Sequence, residues 1–588
     1  MQEGTTISHG GTETRGERFF PVSLRLRVSP AVRLLFSAGL VAVLGACDDS
    51  SGPNIPNAPM GVAVAALTPS SVQVSWTAVD TDVDGYEIAR GEGTNASAFT
   101  VLDTVTASPF TDAGLNPETS YTYRVVAMRR SGRSPEVQAS GRTGARGSVT
   151  IGANITSDRT LFRDSVYRLT SFVQVTNGAT LRIQDGTRIE GDAGSALFIT
   201  RGAKIEARGT AARPIVFTSS RTSQRRAGDW GGLVIIGNGV INRTGGIQIE
   251  GTGTGDNNPA QFYGGNGSNT DNSGVLQYVR IEFAGFGPAT NQELNSLTLA
   301  AVGSGTTVDH VQTMYGLDDS FEWFGGAVDA KYLVSYESGD DHFDASEGYV
   351  GRNQYLIAFQ STVPTVSPGS GQVSGDPQGF EVDGCQDSSG GTCGTAGNNA
   401  EPFTTPVFAN FTVIGAPAGV LPAGGGVGAV IRRGGGGFYV NGVVARWSSS
   451  AFSLEGPAVK ARLDAGQLAV NNVLLAENGN SFLPTSTSGT TTTTRYSLDA
   501  AQNSIQLFAG TTASLFTAFP SAGTSTTGAS FDWSPTAASP IAQGGMTTFT
   551  GALQARAGTF VTGTAFRGAA APGGEKWWQG WTNYARDF

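Results

Sequence analysis

Three stretches of the 588-residue chain share one acidic phrase: "LDDSFEW" at 317–323, "GDDHFDA" at 339–345 and "GFEVDG" at 379–384. In each, a phenylalanine directly precedes an acid: Phe321–Glu322, Phe343–Asp344 and Phe380–Glu381. Phe343 repeats Phe321 at i+22, and Asp319 and Asp341 each stand at i−2 from their phenylalanine. Carboxylates gathered this way do one of three things. They hold a hard cation, and an oxygen-only set at several positions suits calcium. They act as an acid and a base or nucleophile on a glycosidic bond. Or they cap turns and stay solvated. The metal-ligand candidates are Asp319, Glu322, Asp341, Asp344 and Glu381. The catalytic candidates are Glu322, Asp344 and Glu381, with Arg432. Beyond residue 46 only His310 and His342 supply imidazole, so zinc or copper is poorly supported.

Two further sets belong to the same question. A lyase acting on an acidic polymer needs a Lys or Arg base beside its cation. Arg432 and Arg433 in "AVIRRGGGGF", and Lys331, stand near enough in sequence to qualify, and salt bridges from the arginines to the acids are the alternative. Trp323, Phe324, Tyr336 and Tyr349 are candidates for stacking on sugar rings, with packing inside the fold as the other reading.

These residues need a scaffold that repeats. One strand type recurs as "LQYVRIEF", "VDHVQTMY", "AKYLVSYE" and "NQYLIAFQ", aligning Val279, Val311, Leu333 and Leu356 with gaps of 32, 22 and 23. "FANFTVIG", "YVNGVVARW" and "VNNVLLAEN" look like later members. A unit of about 22 residues with variable insertions marks a solenoid, each coil burying its apolar face on its neighbours. Earlier, Leu181 and Ile183 recur as Leu197 and Ile199, and Ile189 as Ile205, which suggests narrow coils of about 16 residues each. The stretches 251–274 and 485–494 read as projecting loops. Alternation along a strand then puts the three phenylalanines inside and leaves Glu322, Asp344 and Glu381 in an outer row, one rung of about 4.8 Å apart. These stretches, with "GDWGGLVIIGN" at 228–238 and "WWQGWTNY" at 577–584, resemble exported bacterial β-helix proteins of the pectin-lyase-like type. The resemblance implies a right-handed parallel β-helix from about 148 to 588 and no firm activity. The tryptophans Trp577, Trp578 and Trp581 are expected to cover one end of it, with an exposed contact surface for a partner or sugar as the alternative.

Composition agrees with an all-β chain. Glycine is 83 of 588 residues and charged residues are 15%, so short strands with many turns fit better than helices. Ahead of the repeats, residues 57–143 carry Trp76, Tyr86 and "GLNPETSYTYRVVAM". This resembles a fibronectin type III domain, with Tyr121 at the tyrosine corner, its hydroxyl tied to nearby backbone. Such a module spaces or binds.

Residues 1–46 read as an export signal: Arg25, Arg27 and Arg33 precede the apolar run "LLFSAGLVAVLGA", too short to span a membrane. The run ends in "LGAC", similar to a bacterial lipobox, which implies lipidation of Cys47 and a tether over 47–56. Losing 1–46, with five basic and three acidic residues, takes the formal charge from −10 to −12. That is unfavourable for nucleic acid. Cys385 and Cys393, in a Gly/Ser-rich loop of an exported chain, are expected to form a disulfide.

The sequence thus reads as a lipid-anchored envelope protein, at the outer membrane or cell surface, presenting a β-helix to a glycan or protein partner, with calcium as the candidate cofactor. A polysaccharide lyase or glycoside hydrolase on the same scaffold, and an accessory lipoprotein of an outer-membrane uptake or assembly system, are the alternatives.

Overall fold

A computed structural model of the chain describes residues 55–252, 261–264, 267–287, 292–387, 391–520 and 531–585. The expected export segment 1–46, Cys47 and most of the tether lie outside the described residues. Among the described residues no helix is long and apolar enough to cross a membrane.

Residues 57–143 fold as a two-sheet sandwich. Met60–Thr68, Ser71–Thr77 and Phe110–Ala113 make one antiparallel sheet; Gly85–Glu92, Thr100–Val105, Ser120–Arg129 and Val137–Arg142 supply most of the other. Alternation sends Val72, Val74 and Trp76 inward against Tyr86, Ile88, Tyr123 and Val125. The backbone N–H of Asn116 donates to the Tyr121 hydroxyl at 3.0 Å, as a tyrosine corner requires.

From Gly147–Ile151 to Gln506–Phe508 the chain winds into a parallel β-helix. Its strands form a seventeen-stranded and a ten-stranded sheet among the described residues. One coil shows how. Thr307–Met314 contributes Val308 and Val311 to the core, at i and i+3 where a flat strand would give i and i+2. The extra residue is His310, at φ 53°. A non-glycine residue in the left-handed region bends the strand, so its two halves face the core from different directions. The bend repeats at Tyr278, Tyr332, Tyr355, Asn410, Asn441 and Asn472, all at positive φ. Phe321–Phe324 then forms the third wall in the ten-stranded sheet, and the next coil starts at Asp329.

Val279, Val311, Leu333 and Leu356 pair directly, rung on rung. The narrower coils expected earlier in the chain are not present. Leu181 pairs with Ile205, and Val173 with Leu197, both at i+24. The shorter spacing links strands on different walls of coils that are about 22 to 24 residues long. All walls share the same inward alternation, so likeness between walls imitates a shorter repeat.

The C-terminal tryptophans also differ from expectation. Trp577, Trp578 and Trp581 are buried over outward residues of the seventeen-stranded sheet, among them Tyr336 and Phe359. The Trp581 carbonyl accepts from Arg280 Nη1 at 3.1 Å, and the Asn583 carbonyl from Gln312 Nε2 at 2.6 Å. The segment covers a flank of the helix. Its apolar side chains find a ready surface there, because the sheet's outer face carries Met314, Tyr336 and Phe359 as well as polar groups.

Candidate functional site: an acidic cleft

The phenylalanines stack as the spacing requires. Phe321 pairs with Phe343 and Phe343 with Phe380, with ring centroids 5.5 and 5.2 Å apart. One residue on, the register runs Thr298, Glu322, Asp344, Glu381, Val430 on successive rungs. The three acids point away from the core, yet Glu322, 4% exposed, and Glu381, 9% exposed, are buried, and Asp344 between them is half-buried. Part of the cover comes from the insertion between Leu233–Ile236 and Gly274–Glu282, which includes the hairpin Ile247–Gln248 with Phe262–Tyr263. Together they enclose a cleft of about 490 Å³, its wall including Arg243, Glu250, Tyr263, Phe324, Glu347 and Arg433.

Two contacts hold the insertion down. Arg243 pairs with Glu347, both side chains buried. The disulfide Cys385–Cys393, with Cα atoms 5.9 Å apart, brackets a loop that is stitched to the insertion by Thr244 and Thr392, whose backbones exchange hydrogen bonds at 3.0 and 3.2 Å. Gly384 and Gln386, at the start of that loop, line the cleft.

The turn before the strand carries a second column. The side-chain oxygen of Asn295 accepts from the Asp319 N–H at 3.1 Å, Asp319 from Asp341 at 2.8 Å, Asp341 from Gln378 at 2.5 Å, and Gln378 from Val427 at 2.9 Å. Each side chain thus caps the backbone of the next coil. This uses one carboxylate oxygen of Asp319 and one of Asp341.

Burial and mutual repulsion set the electrostatics. Two carboxylates one rung apart repel by about 3.5 kcal/mol at an effective dielectric of 20. Burial first, and then the neighbouring acids, push Asp319, Glu322, Asp341 and Asp344 well above the usual carboxylate range. Burial and Asp383 push Glu381 up to about 8 against the pull of Arg432. Compensation is lopsided. At one end Arg432 binds Glu381 and, at 3.1 Å, Asp383, and Arg433 also binds Asp383. At the other end Glu322 has an amide donor in Asn295. Asp344 Oδ1 is buried with no hydrogen-bond partner.

Oxygens of Asp319, Glu322 and Asp344 lie within 4.8 Å of one another, as do those of Asp341, Asp344 and Glu381, and of Asp318, Asp319 and Asp340. The donors are all oxygens, and one of them is buried without a partner, so the set fits a hard divalent cation. The fit is best at Asp319, Glu322 and Asp344, because Arg432 already occupies the Glu381 end. Calcium, with its loose geometry, suits donors from separate rungs better than magnesium.

The structure corrects the stacking residues. Trp323, Tyr336 and Tyr349 are fully buried. Trp323 shares the inward parity of Phe321 and packs on it, and on Tyr349 at 5.3 Å between centroids. The Tyr349 hydroxyl donates to the Val328 carbonyl. Tyr336 lies beneath Phe531 and Tyr584 on the outer flank. The aromatic residues that do line the cleft are Tyr263 and Phe324. As candidate bases, Arg432 and Arg433 are held by acids. Lys331 sits on the other sheet, its ammonium 4.7 Å over the Phe560 ring. Arg243, Glu250 and Glu347 were not foreseen. Glu347 stands just after Asp344 and was within reach of the sequence, whereas Arg243 and Glu250 come from an insertion several coils earlier that no period announces.

A family model described as a pectate-lyase-like beta helix domain matches residues 153–527, and a fibronectin type III model matches 57–141. Exoglucanase B of Cellulomonas fimi is 32% identical over 167 residues, 28% of this chain and 14% of that protein. Chitinase 63 of Streptomyces plicatus is 38% identical over 87 residues, 14% of this chain and 13% of that protein. The chain therefore spans only 14% and 13% of the lengths of these two relatives. Among solved structures, the fn3 domain of human collagen alpha-1(XX) chain is 32% identical, covers 16% of this chain and 91% of that one, and has a TM-score of 0.15.

Proposed function

Since the chain belongs to the pectate-lyase-like β-helix family and carries a fibronectin type III module ahead of the helix, we propose that it is an envelope protein, lipid-anchored at Cys47, whose acidic cleft binds an anionic glycan through a calcium ion. The observation that carries this is the uncompensated end of the acid column: Asp319, Glu322 and Asp344 converge, and Asp344 Oδ1 is buried without a partner. Calcium would be held by these three side chains. When bound it supplies the positive charge that a sugar carboxylate needs in a cleft that otherwise repels it. Arg433, its side chain 38% exposed at the rim, offers a further contact to the same group. A cleft of about 490 Å³ has room for one or two sugar rings.

Calorimetry on the full chain tests the reading. After chelation, calcium should bind saturably, and a uronate polymer should bind in calcium but not in chelator. No calcium heat and no polymer binding in either condition would remove it.

A hydrolase is the second reading, favoured by carboxyl groups on adjacent rungs at the spacing of about 5 Å used by retaining glycosidases, one of them, Glu381, holding its proton to about 8. Release of reducing ends from a glycan panel separates it from binding alone, and unsaturated, ultraviolet-absorbing products would mark a lyase.

A further inference from the structure

Charge is divided unevenly along the helix. Residues 147–226, its first coils, carry twelve Lys or Arg and six Asp or Glu, a formal charge of +6. Residues 227–588 carry fourteen and twenty-eight, a formal −14. A chain that is acidic as a whole thus begins its helix with a basic block, and such asymmetry points to a partner of opposite charge. The later acids do not cancel that block from afar. On their shared wall, Ala196–Ile199 of a basic coil and Phe321–Phe324 of the acid column are three rungs apart. That is about 14 Å, beyond a screening length of about 8 Å at physiological salt.

The basic side chains gather on one wall. Strand parity buries Ile205 and Ala207 and turns Lys204, Glu206 and Arg208 outward. The register sets Arg182 one rung from Glu206 on the same face. With Phe162, these side chains border a shallow groove. Arg182 and Arg208 are exposed, and their ion pairs with Asp158 and Glu206 lie at the surface, where such pairs hold weakly and leave the cations free to exchange partners. Lys204 has no ion pair among the described residues. Asp185, also in the groove, is shared by Arg163 and Arg213, so its charge is already met. Phe162 is 52% exposed, and its backbone N–H donates to the Tyr167 hydroxyl at 2.8 Å, which fixes the loop that presents the ring. An apolar ring standing out among arginines and a lysine suits the headgroup layer of an anionic bilayer. The cations meet phosphates and the ring enters the interface. A soluble polyanion offers the ring nothing.

We propose that this wall of the first coils is a docking surface for the anionic headgroups of a lipid bilayer, with Arg182, Lys204 and Arg208 on phosphates and Phe162 in the interface. The proposal rests on anchoring at Cys47 only to bring the chain near such a surface, and its test removes the anchor. The chain from residue 47 onward, carrying Cys47→Ser, is sedimented with vesicles in chelator, so that no calcium bridges the acid column to lipid. Binding is expected to phosphatidylcholine vesicles with about 30% phosphatidylglycerol and not to phosphatidylcholine alone. It should be lost at about 0.5 M salt. Arg182→Glu with Lys204→Glu should weaken it by about tenfold or more, and Phe162→Ala by about threefold. Lys460→Glu, a reversal at an exposed site on the later coils, should leave it unchanged. An equal loss in Lys460→Glu would reduce the effect to net charge and overturn the proposal. So would equal binding to phosphatidylcholine, no binding to either vesicle, or capture of soluble polyphosphate without vesicle binding.

Discussion

Two columns of polar side chains climb the same rungs of this β-helix, and only one is satisfied by the protein. The turn column, Asn295, Asp319, Asp341 and Gln378, passes a hydrogen bond from each coil to the next backbone. The strand column, Glu322, Asp344 and Glu381, has an amide at one end, an arginine at the other and an unpartnered oxygen between. Amides at both ends of the turn column show that what it needs is an acceptor, not a charge. The strand column is acidic at every one of its three positions, which a structural role does not require. Residues of the same type and spacing thus divide into a column that caps the coil, with a second oxygen of Asp319 left over for the ion, and a column for binding.

The pH dependence of stability gives the largest effect with which to break this division. Glu381 holds its proton to about 8 in the folded chain against an ordinary 4.5. Between those values the folded state keeps a proton that the unfolded chain has lost. Glu381 alone therefore lowers stability in chelator as pH rises through that window, on the order of 3 kcal/mol between pH 5 and 8, and the other buried acids act in the same direction. Calcium favours the ionised column and should flatten the slope. A slope unchanged by calcium in urea denaturation would mean that no cation compensates the strand column.

Removing the arginine tests the neutralised end. Arg432→Gln strands Glu381, whose side chain is 11% exposed, while Asp383 keeps Arg433, and should cost about 2–3 kcal/mol in chelator. Part of that loss should return with calcium, because Glu381 joins the Asp341 and Asp344 oxygens as a free donor. At the other end, Asp344→Asn should weaken calcium by about 30-fold, the loss of one charged ligand. In chelator the same change should raise the melting temperature, because it removes repulsion.

Much of this was legible in the sequence. The pairing of Phe321 with Phe343 followed from a coil without insertions, and the acid row followed from strand parity. The same parity already placed Trp323 inside with Phe321, so its reading as a stacking platform set residue type above position. The burial of the row was not legible, because the cover folds in from Arg243, Thr244 and the hairpin of Ile247–Gln248 with Phe262–Tyr263, whose contacts with Glu347 and Thr392 obey no repeat. The flank cover by Trp577, Trp578 and Trp581 was hidden for a related reason: an apolar tail says that it will be buried, not which surface awaits it. The apparent short repeat of Leu181 and Leu197 misled because the walls of a β-helix are alike.

The smallest effect is the most discriminating one. Asp341 accepts from the Gln378 N–H, and that bond is buried. Asp341→Ala leaves the N–H without an acceptor and should cost about 1–2 kcal/mol. Asp341→Asn keeps an acceptor and removes a charge from a repelling group, so in chelator its stability should match or exceed the parent by up to about 0.5 kcal/mol. If the asparagine variant instead falls as far as the alanine variant, the charge of Asp341 matters to the fold, and the two columns are one electrostatic unit. If it holds its stability and also keeps calcium affinity within about threefold, while Asp344→Asn does not, then Asp341 serves the coil and Asp344 serves the ion.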